Sequence, residues 1–260
     1  MDIRNLCGNL YEADFNNGDH YTKQVINFIL EGSNALLIDT GYKKESEQLK
    51  AYFDERSIHI EKIIISHYHE DHFEGLKALK KTEKNIMVFG SANFSRTLEK
   101  EYMEDFLLDQ DIYPTIFCEN CQFDYGGHHI RFEEAKGHSD CSIHTVIDEK
   151  YVHTADNIMY DTDNIALLPL PYGSIVEHLK TLADLKKHLN GFFLGSHFSS
   201  EVNRLKDMSM EIDSRIIYIQ KVLEYKGHIE YDRIKDMLPI EFNPRWHGLM
   251  LRFYEEQMEG

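Results

Sequence analysis

The amino-acid sequence predicts an α/β (α+β) fold, in which helices cover both faces of a mixed sheet and a helical tail follows. Three observations lead to this class. Strand-like and helix-like segments alternate in the first third, hairpin patterns occupy the middle, and helical spacing continues beyond Ser200. No Pro/Gly-rich linker divides the chain, so one layered unit is the economical arrangement, and two small α+β lobes are the alternative.

The first third shows a regular succession of elements. Six segments follow in order: strands at 24–30 and 35–38, a helix at 43–56, a strand at 61–66, a helix at 72–81 and a strand at 85–90. The first two strands are joined by E-G-S-N, a sequence typical of a hairpin turn. In the helices, apolar residues such as Leu76 and Leu79 recur at helical spacing and define one face to be buried.

The middle and the tail differ in character. The middle predicts antiparallel hairpins at 123–135 and 142–155, with turns at G-G-H-H and D-E-K, followed by a helix at 176–189 and a strand at 192–195. The tail predicts helices at 202–225, 231–238 and 246–258, the first carrying apolar residues at Ile212, Ile216, Ile219 and Leu223. We therefore expect a domain at 1–200 and a helical extension at 201–260 that packs on it.

Composition restricts the function classes. The formal net charge of −17 argues against a broad nucleic-acid or anionic-membrane surface, because phosphate binding needs clustered Lys and Arg. No stretch approaches the ~20 apolar residues that span a bilayer. The N-terminal sequence lacks the pattern of a secretory signal, and four cysteines are too few for a disulfide framework. We expect a cytoplasmic protein with a small-molecule substrate and leave a homodimer open.

One segment concentrates metal-binding residues. Residues 66–72 read S-H-Y-H-E-D-H and follow the apolar run at 63–65. His67 and His69 share a face of an extended segment, whereas on a helix they would point roughly 200° apart. Asp71 and His72 follow at the start of the next predicted helix, where the chain can turn back to the same point. Imidazole and carboxylate together favour Zn²⁺, Fe²⁺ or Mn²⁺ over Ca²⁺.

Three further strand ends carry a histidine or an aspartate. His138 stands in G-H-S, Asp156 in T-A-D-N and His197 in G-S-H, each after a predicted strand. Open α/β sheets place their ligands at the carboxyl ends of strands. Each residue alone is equally compatible with a cap or an ordinary loop. Together with the first cluster they make seven ligands, enough for two metal ions.

These motifs resemble those of the metallo-β-lactamase-fold hydrolases. The family signature is H-x-H-x-D-H, then G-H-(S/T), an aspartate after a strand and a final histidine after another strand. The upstream L-L-I-D-T-G at 36–41 also matches, and the resemblance covers roughly the first 200 residues. It implies an αββα sandwich with the site along one edge, and a C-terminal helical extension beyond the family domain.

The resemblance also implies a ligand set. One ion would be held by His67, His69 and His138, a second by Asp71, His72 and His197, with Asp156 bridging them and Asp39 as a carboxylate behind the ligands. The expected cofactors are two divalent transition-metal ions, with zinc as first choice and iron or manganese as alternatives.

Three residues are candidates for further roles at such a site. A metal-bridging hydroxide would be the nucleophile, and Asp71 would move its proton after the attack. Tyr160, four residues after Asp156, is a candidate for polarising the substrate, with simple packing as the alternative. Cys141 replaces a glycine that is common in the family, and burial is the favoured interpretation of this thiol.

The expected activity is hydrolysis of a small ester, lactone or thioester. The alternatives are a phosphodiesterase or ribonuclease, an oxidoreductase of the persulfide-dioxygenase type with a single iron, and a binding protein without turnover. We also expect the tail to form one wall of the substrate pocket, with packing on the core or a dimer contact as the alternative. Four aromatic residues could contribute to that wall: Phe242, Trp246, Phe253 and Tyr254.

Overall fold

The computed structural model of the chain describes residues 1–15, 20–101 and 110–258. Its strands are β1 (Asp2–Cys7), β2 (Leu10–Phe15), β3 (Gln24–Glu31), β4 (Asn34–Ile38), β5 (His59–Ile64), β6 (Met87–Gly90), β7 (Ile116–Phe117), β8 (Gln122–Tyr125), β9 (His128–Glu134), β10 (Ile143–Ile147), β11 (Tyr151–His153), β12 (Ala166–Leu167), β13 (Phe192–Leu194) and β14 (Phe242–Asn243). Its α-helices are α1 (Lys43–Asp54), α2 (Glu70–Thr82), α3 (Phe94–Glu101), α4 (Ile175–Leu185), α5 (Ser200–Leu205), α6 (Met208–Glu224), α7 (Tyr231–Ile234) and α8 (His247–Met258).

Two sheets form the centre of the molecule. The first contains β1 to β7 in chain order, antiparallel from β1 to β4 and parallel from β4 to β7. The second has the order β13-β11-β10-β9-β8 and is antiparallel except for the parallel pair of β11 and β13. A separate parallel pair joins β12 to β14, with Ala166 opposite Phe242. This short pair connects the tail to the body of the fold.

Alternation along the strands divides the interior into layers. On β4, Leu36 and Ile38 belong to the core between the two sheets together with Ile147 of β10. Leu37, between them, belongs to the core beneath the first helical layer together with Phe53 of α1. Successive side chains of a strand point to opposite faces, so one strand supplies both cores. The αββα sandwich and the α/β fold class are therefore confirmed.

The tail helices share a core with the second sheet. Val146 of β10, Leu182 of α4 and Ile212 and Ile219 of α6 lie in a single cluster of fully buried side chains. Of the apolar face predicted for the first tail helix, Ile212 and Ile219 are fully buried in this cluster, and Ile216 and Leu223 pack against it partly buried. The division of the chain at residue 200 stays a prediction, and residues 259–260 of the predicted extension lie outside the described residues.

Several elements differ from those predicted. The helix expected at 202–225 is divided into α5 and α6, because the side chain of Asp207 accepts hydrogen bonds from the backbone of Ser209 and Met210 and caps a new helix. The hairpin of β1 and β2 was not predicted. In the part of the chain that the structure describes, no helix is long and apolar enough to cross a membrane.

Candidate metal centre

Neighbouring strand ends bring the candidate ligands together. Asp39 directly follows β4, and His67 comes soon after β5, its parallel neighbour in the first sheet. In the second sheet, Asp156 follows β11 and His197 follows its parallel neighbour β13. The carboxyl ends of parallel neighbours lie at the same edge of a sheet. The two sheets therefore present these four side chains along one edge of the sandwich.

Three histidines and one carboxylate oxygen form the first ligand group. Nδ1 of His69 lies 2.9 Å from Nε2 of His67 and 3.0 Å from Nε2 of His138. Oδ2 of Asp156 lies 3.6 Å from Nε2 of His67 and 3.4 Å from Nε2 of His138. Four donor atoms of the kind that bind transition metals thus surround one point.

The second group lies on the other side of Asp156. Oδ1 of Asp156 is 3.2 Å from Nε2 of His72 and 3.2 Å from Nε2 of His197. Asp71 completes the group, with one oxygen 3.2 Å from Nε2 of His197 and the other 3.6 Å from Nε2 of His72. The structure therefore brings all seven sequence-predicted ligand side chains together. Asp156 offers one oxygen to each group.

Backbone carbonyls orient two of these histidines. Nδ1 of His138 lies 2.8 Å from the carbonyl oxygen of Leu170, and Nδ1 of His197 lies 2.9 Å from that of Lys23. A carbonyl oxygen can only accept a hydrogen bond, so Nδ1 must carry the proton in both rings. This tautomer leaves the lone pair of Nε2 directed at the cluster, which is the arrangement that metal-ligating histidines usually have.

Burial and charge separate the histidines into two kinds. Burial lowers the pKa of His67 and His138, and it lowers the pKa of His69 to about 4, so these rings are neutral. Burial also opposes protonation of His72 and His197. Even so, the nearby carboxylates, Asp156 above all, raise the pKa of His72 and raise that of His197 to about 10. A proton and a metal ion compete for the same Nε2 lone pair of these two rings.

The residues present fit a divalent metal. Within the described residues, Nε2 of His72 and Oδ1 of Asp156 are buried without a hydrogen-bond partner. Buried polar atoms are almost always partnered, and both of these atoms face the second group. Imidazole nitrogen and carboxylate oxygen are also the donor types that a transition-metal ion takes.

A cavity of about 500 Å³ opens beside the two ligand groups. Besides ligands from both groups, five aromatic side chains line it: Tyr21, Tyr42, Tyr68, Tyr172 and Trp246. Trp246 belongs to the tail, as expected for one of the four tail aromatics. The other three, Phe242, Phe253 and Tyr254, are buried in the core that the tail shares with the second sheet.

Tyr160 does not have the position expected of a substrate-polarising group. Its side chain is fully buried, its ring packs edge-on against Phe198 with centroids 5.6 Å apart, and burial raises its pKa. It is not among the described residues that line the cavity. The burial of its ring favours the packing alternative for Tyr160, and a role in the chemistry stays a prediction. Cys141 is also buried, which agrees with the interpretation favoured for it.

Most of the five aromatic residues that line the cavity were not predicted from the sequence to do so. Tyr42 follows the D-T-G turn and Tyr172 follows L-P-L-P, but neither stands in a spacing pattern that indicates a pocket. Tyr68 is the exception, since it lies between two predicted ligands. Tertiary contact alone brings the others to the site.

Known proteins resemble the chain in sequence and in fold. A family model, that of the metallo-beta-lactamase superfamily, matches residues 24–156. A curated relative from Drosophila melanogaster, "Beta-lactamase-like protein 2 homolog", is 24% identical over 157 residues, which are 58% of this chain and 50% of the relative. The chain thus spans about half the length of that relative.

Solved structures also resemble the chain. One is the metallo-beta-lactamase DIM-1, with a TM-score of 0.60 and 12% identity, over 82% of this chain and 96% of that protein. A metallo-beta-lactamase from Pontibacter korlensis has a TM-score of 0.61 and 12% identity, over 80% and 98% of the two chains. At such identities the likeness shows a shared fold.

Proposed function

The chain belongs to the metallo-beta-lactamase superfamily, and from that premise we propose that it is a dinuclear metal-dependent hydrolase acting on a small ester, lactone or thioester. The observation that carries the proposal is the sharing of Asp156 between two complete ligand groups at the floor of a cavity. The cavity, about 500 Å³, has the size of a small-molecule site.

Different side chains would hold the two ions. His67, His69 and His138 would hold one ion, Asp71, His72 and His197 the other, and Asp156 both. Zinc is our first choice, and iron or manganese suit the same donors. When bound, such ions polarise a carbonyl oxygen and lower the pKa of water toward ~7.

Asp71 is the proposed proton carrier. Its side chain is 18% exposed and lines the cavity, whereas Asp156 is almost fully buried. Neighbouring His72 and His197 overcome the effect of burial and hold the pKa of Asp71 below its ordinary value, so the carboxylate is ionised. In that form it can accept the proton that the attacking water loses and return it to the leaving group, an alkoxide from an ester or lactone or a thiolate from a thioester.

The test combines metal counting with a substrate panel. Protein purified without added metal would be analysed for bound metals and assayed with an ester, a lactone, a thioester and a bis-phosphodiester. We expect two ions per chain and turnover of at least one acyl substrate. His67→Ala and His197→Ala should each lose metal and turnover, whereas His129→Ala, an exposed histidine paired with Asp124, should change neither.

Each other outcome points to a different function. Unchanged metal content in both ligand variants would contradict the dinuclear assignment. Turnover of the phosphodiester alone would favour the phosphodiesterase alternative, and a single iron with persulfide oxidation would favour the oxidoreductase. Full metal content without any turnover would leave a binding protein of the same fold.

A further inference from the structure

The wall of the cavity above the ligands has a distinctive composition. Five aromatic rings line it together with two carboxylates that are not predicted ligands, Glu70 at the start of α2 and Glu101 at the end of α3. No lysine or arginine is among the described residues that line the cavity. The undescribed segments 16–19 and 102–109, which adjoin the lining residues His20 and Glu101, contain neither residue type in their sequence.

Contacts from several elements fix the rings in place. Tyr172 packs edge-on against His69, at 5.1 Å between ring centroids, and against Phe253 of α8 at 4.8 Å. Tyr21 and Trp246 lie 5.9 Å apart at a tilted angle. Rings supported on both sides lose little freedom when a ligand binds, so they offer a preformed apolar and π-rich surface.

Two cations outside the lining pair with residues of the wall. Nζ of Lys100 lies 2.9 Å from a carboxylate oxygen of Glu101, and the guanidinium of Arg245 lies 4.2 Å from the ring centroid of Tyr21. Neither residue is among those that line the cavity. A carboxylate or phosphate on the outer part of a substrate would therefore meet ring faces, carboxylates and the imidazole of His20, and the described lining residues offer it no lysine or arginine.

We propose that this wall selects substrates whose outer group is apolar or aromatic and uncharged or positively charged, and rejects those whose outer group is anionic. The selection rests on the proposed hydrolase function. The interaction of a cation with a ring face contributes ~0.5–2 kcal/mol of binding free energy, depending on desolvation. Neutral apolar groups bind to the same rings because both surfaces are removed from water. An anion receives neither contribution and is repelled above all by Glu70, since Lys100 pairs with Glu101; this is specificity through an unfavourable contact.

The test uses three matched acetate esters of a substituted phenol. The substituent is tert-butyl, trimethylammonium or carboxylate, each carried on a methylene so that the leaving-group pKa stays similar. We expect kcat/KM for the neutral and cationic esters to exceed that for the carboxylate by about tenfold or more, a difference of about 1.4 kcal/mol. Equal values, or a preference for the carboxylate, would overturn the proposal.

Two double variants distinguish an effect of the wall from an effect of general surface charge. Glu70→Gln combined with Glu101→Gln should narrow the difference between the cationic and the anionic ester. The matched control, Glu74→Gln combined with Glu99→Gln, changes carboxylates on the same two helices that do not line the cavity, and it should leave the difference as it is. An equal effect of both pairs would contradict a role for the wall.

A binding measurement keeps the inference independent of hydrolysis. The three corresponding amides would be titrated calorimetrically into the protein as purified. If none of the three esters is hydrolysed, the lactone and the thioester of the substrate panel still decide the proposed function, and tighter binding of the neutral and cationic amides would support selection by the wall. Tighter binding of the carboxylate amide, or no binding by the other two, would overturn it.

Discussion

The carboxylate of Asp39 accepts a hydrogen bond from Nδ1 of His72 at 2.7 Å, in a region where both residues are almost completely buried. The same carboxylate accepts from the backbone nitrogen of Ser66 at 2.7 Å and from the hydroxyls of Ser66 and Ser196 at 2.8 Å each. Burial alone would raise the pKa of Asp39, but His72 and these donors hold it below its ordinary value. One ionised carboxylate thus connects strand-end loops of both sheets behind the ligands.

Asp39→Asn should weaken metal binding. The asparagine side chain keeps one oxygen that can accept hydrogen bonds, but its NH₂ group is a donor and faces groups that are themselves donors. The hydrogen bond that orients His72 is therefore weakened or lost. Loss of such an outer partner typically costs 10–100-fold in metal affinity, and we expect a decrease of about that size. Competition with a chromophoric chelator measures it. Asp124→Asn, at an exposed carboxylate paired with His129, is the control. Equal affinities of Asp39→Asn and wild type would show that His72 is held by other contacts.

Asp71→Asn should separate metal binding from proton transfer. Asparagine retains an oxygen in the same place but cannot take up a proton at neutral pH. We expect kcat to fall ~10²-fold or more, the usual scale of general acid–base catalysis, while the circular-dichroism spectrum stays native. Metal content measured on the same samples decides the interpretation. Near-normal turnover with normal metal content would assign the proton to another group.

The ligands could be predicted from the sequence because they stand at the end of a strand or at the start of the helix that follows it. The three apolar residues at 63–65 mark the end of β5, and the short motifs around His138 and Asp156 follow recognisable strands. Side chains alternate between the two faces of an extended segment, so the spacing of two residues alone places His67 and His69 on the same face. Asp39 also follows a predicted strand, but a single aspartate at a strand end does not indicate what it binds. Only the family resemblance indicated its role, since its partners are far from it in the chain.

The β1–β2 hairpin was not predicted because β2 contains buried charged residues. β2 reads L-Y-E-A-D-F, and both Glu12 and Asp14 are buried there. Arg4 of β1 contacts them at 3.0 and 3.1 Å, and Ser200 donates from its backbone and its hydroxyl to Glu12. Because these carboxylates interrupt the apolar alternation, the segment has the composition of a loop. Their partners become apparent only in the folded chain.

Glu133→Gln should make stability less dependent on pH. Burial would raise the pKa of Glu133, but hydrogen bonds from Arg131, His188 and Lys187 lower it from 4.5 to about 2. A carboxyl group whose pKa is lower in the folded state stabilises that state above its unfolded pKa. This contribution is lost as the pH falls from about 4.5 toward 2.

The expected loss on Glu133→Gln is about 1–3 kcal/mol of unfolding free energy at pH 7, decreasing steadily below pH 5. Urea unfolding at several pH values would measure it. Glu134→Gln, at the adjacent residue that pairs with Lys136, is the matched control and should have little effect, because surface ion pairs contribute little. A loss of the same size at pH 7 and pH 3.5 would mean that the charge of Glu133 is not its cause.

The tail is joined to the loop that follows Asp156. The guanidinium of Arg215 donates to the carbonyl oxygen of Met159 at 3.0 Å, and Asn243 donates to a carboxylate oxygen of Asp161 at 3.0 Å. Met159 lines the cavity, as does Trp246. Removing the whole tail would expose the core that α6 shares with the second sheet, so a point substitution is the sharper test of its role.

Trp246→Ala should therefore leave metal content unchanged and raise KM several-fold for substrates with an apolar outer group, because a lost aromatic contact costs about 1 kcal/mol. kcat should change less, since Trp246 belongs to neither ligand group. Trp246→Phe keeps an aromatic ring at the position and should restore most of the lost affinity. Steady-state kinetics and thermal melting of both variants would separate a pocket wall from simple packing. A lowered melting temperature with unchanged KM would show that the indole only packs.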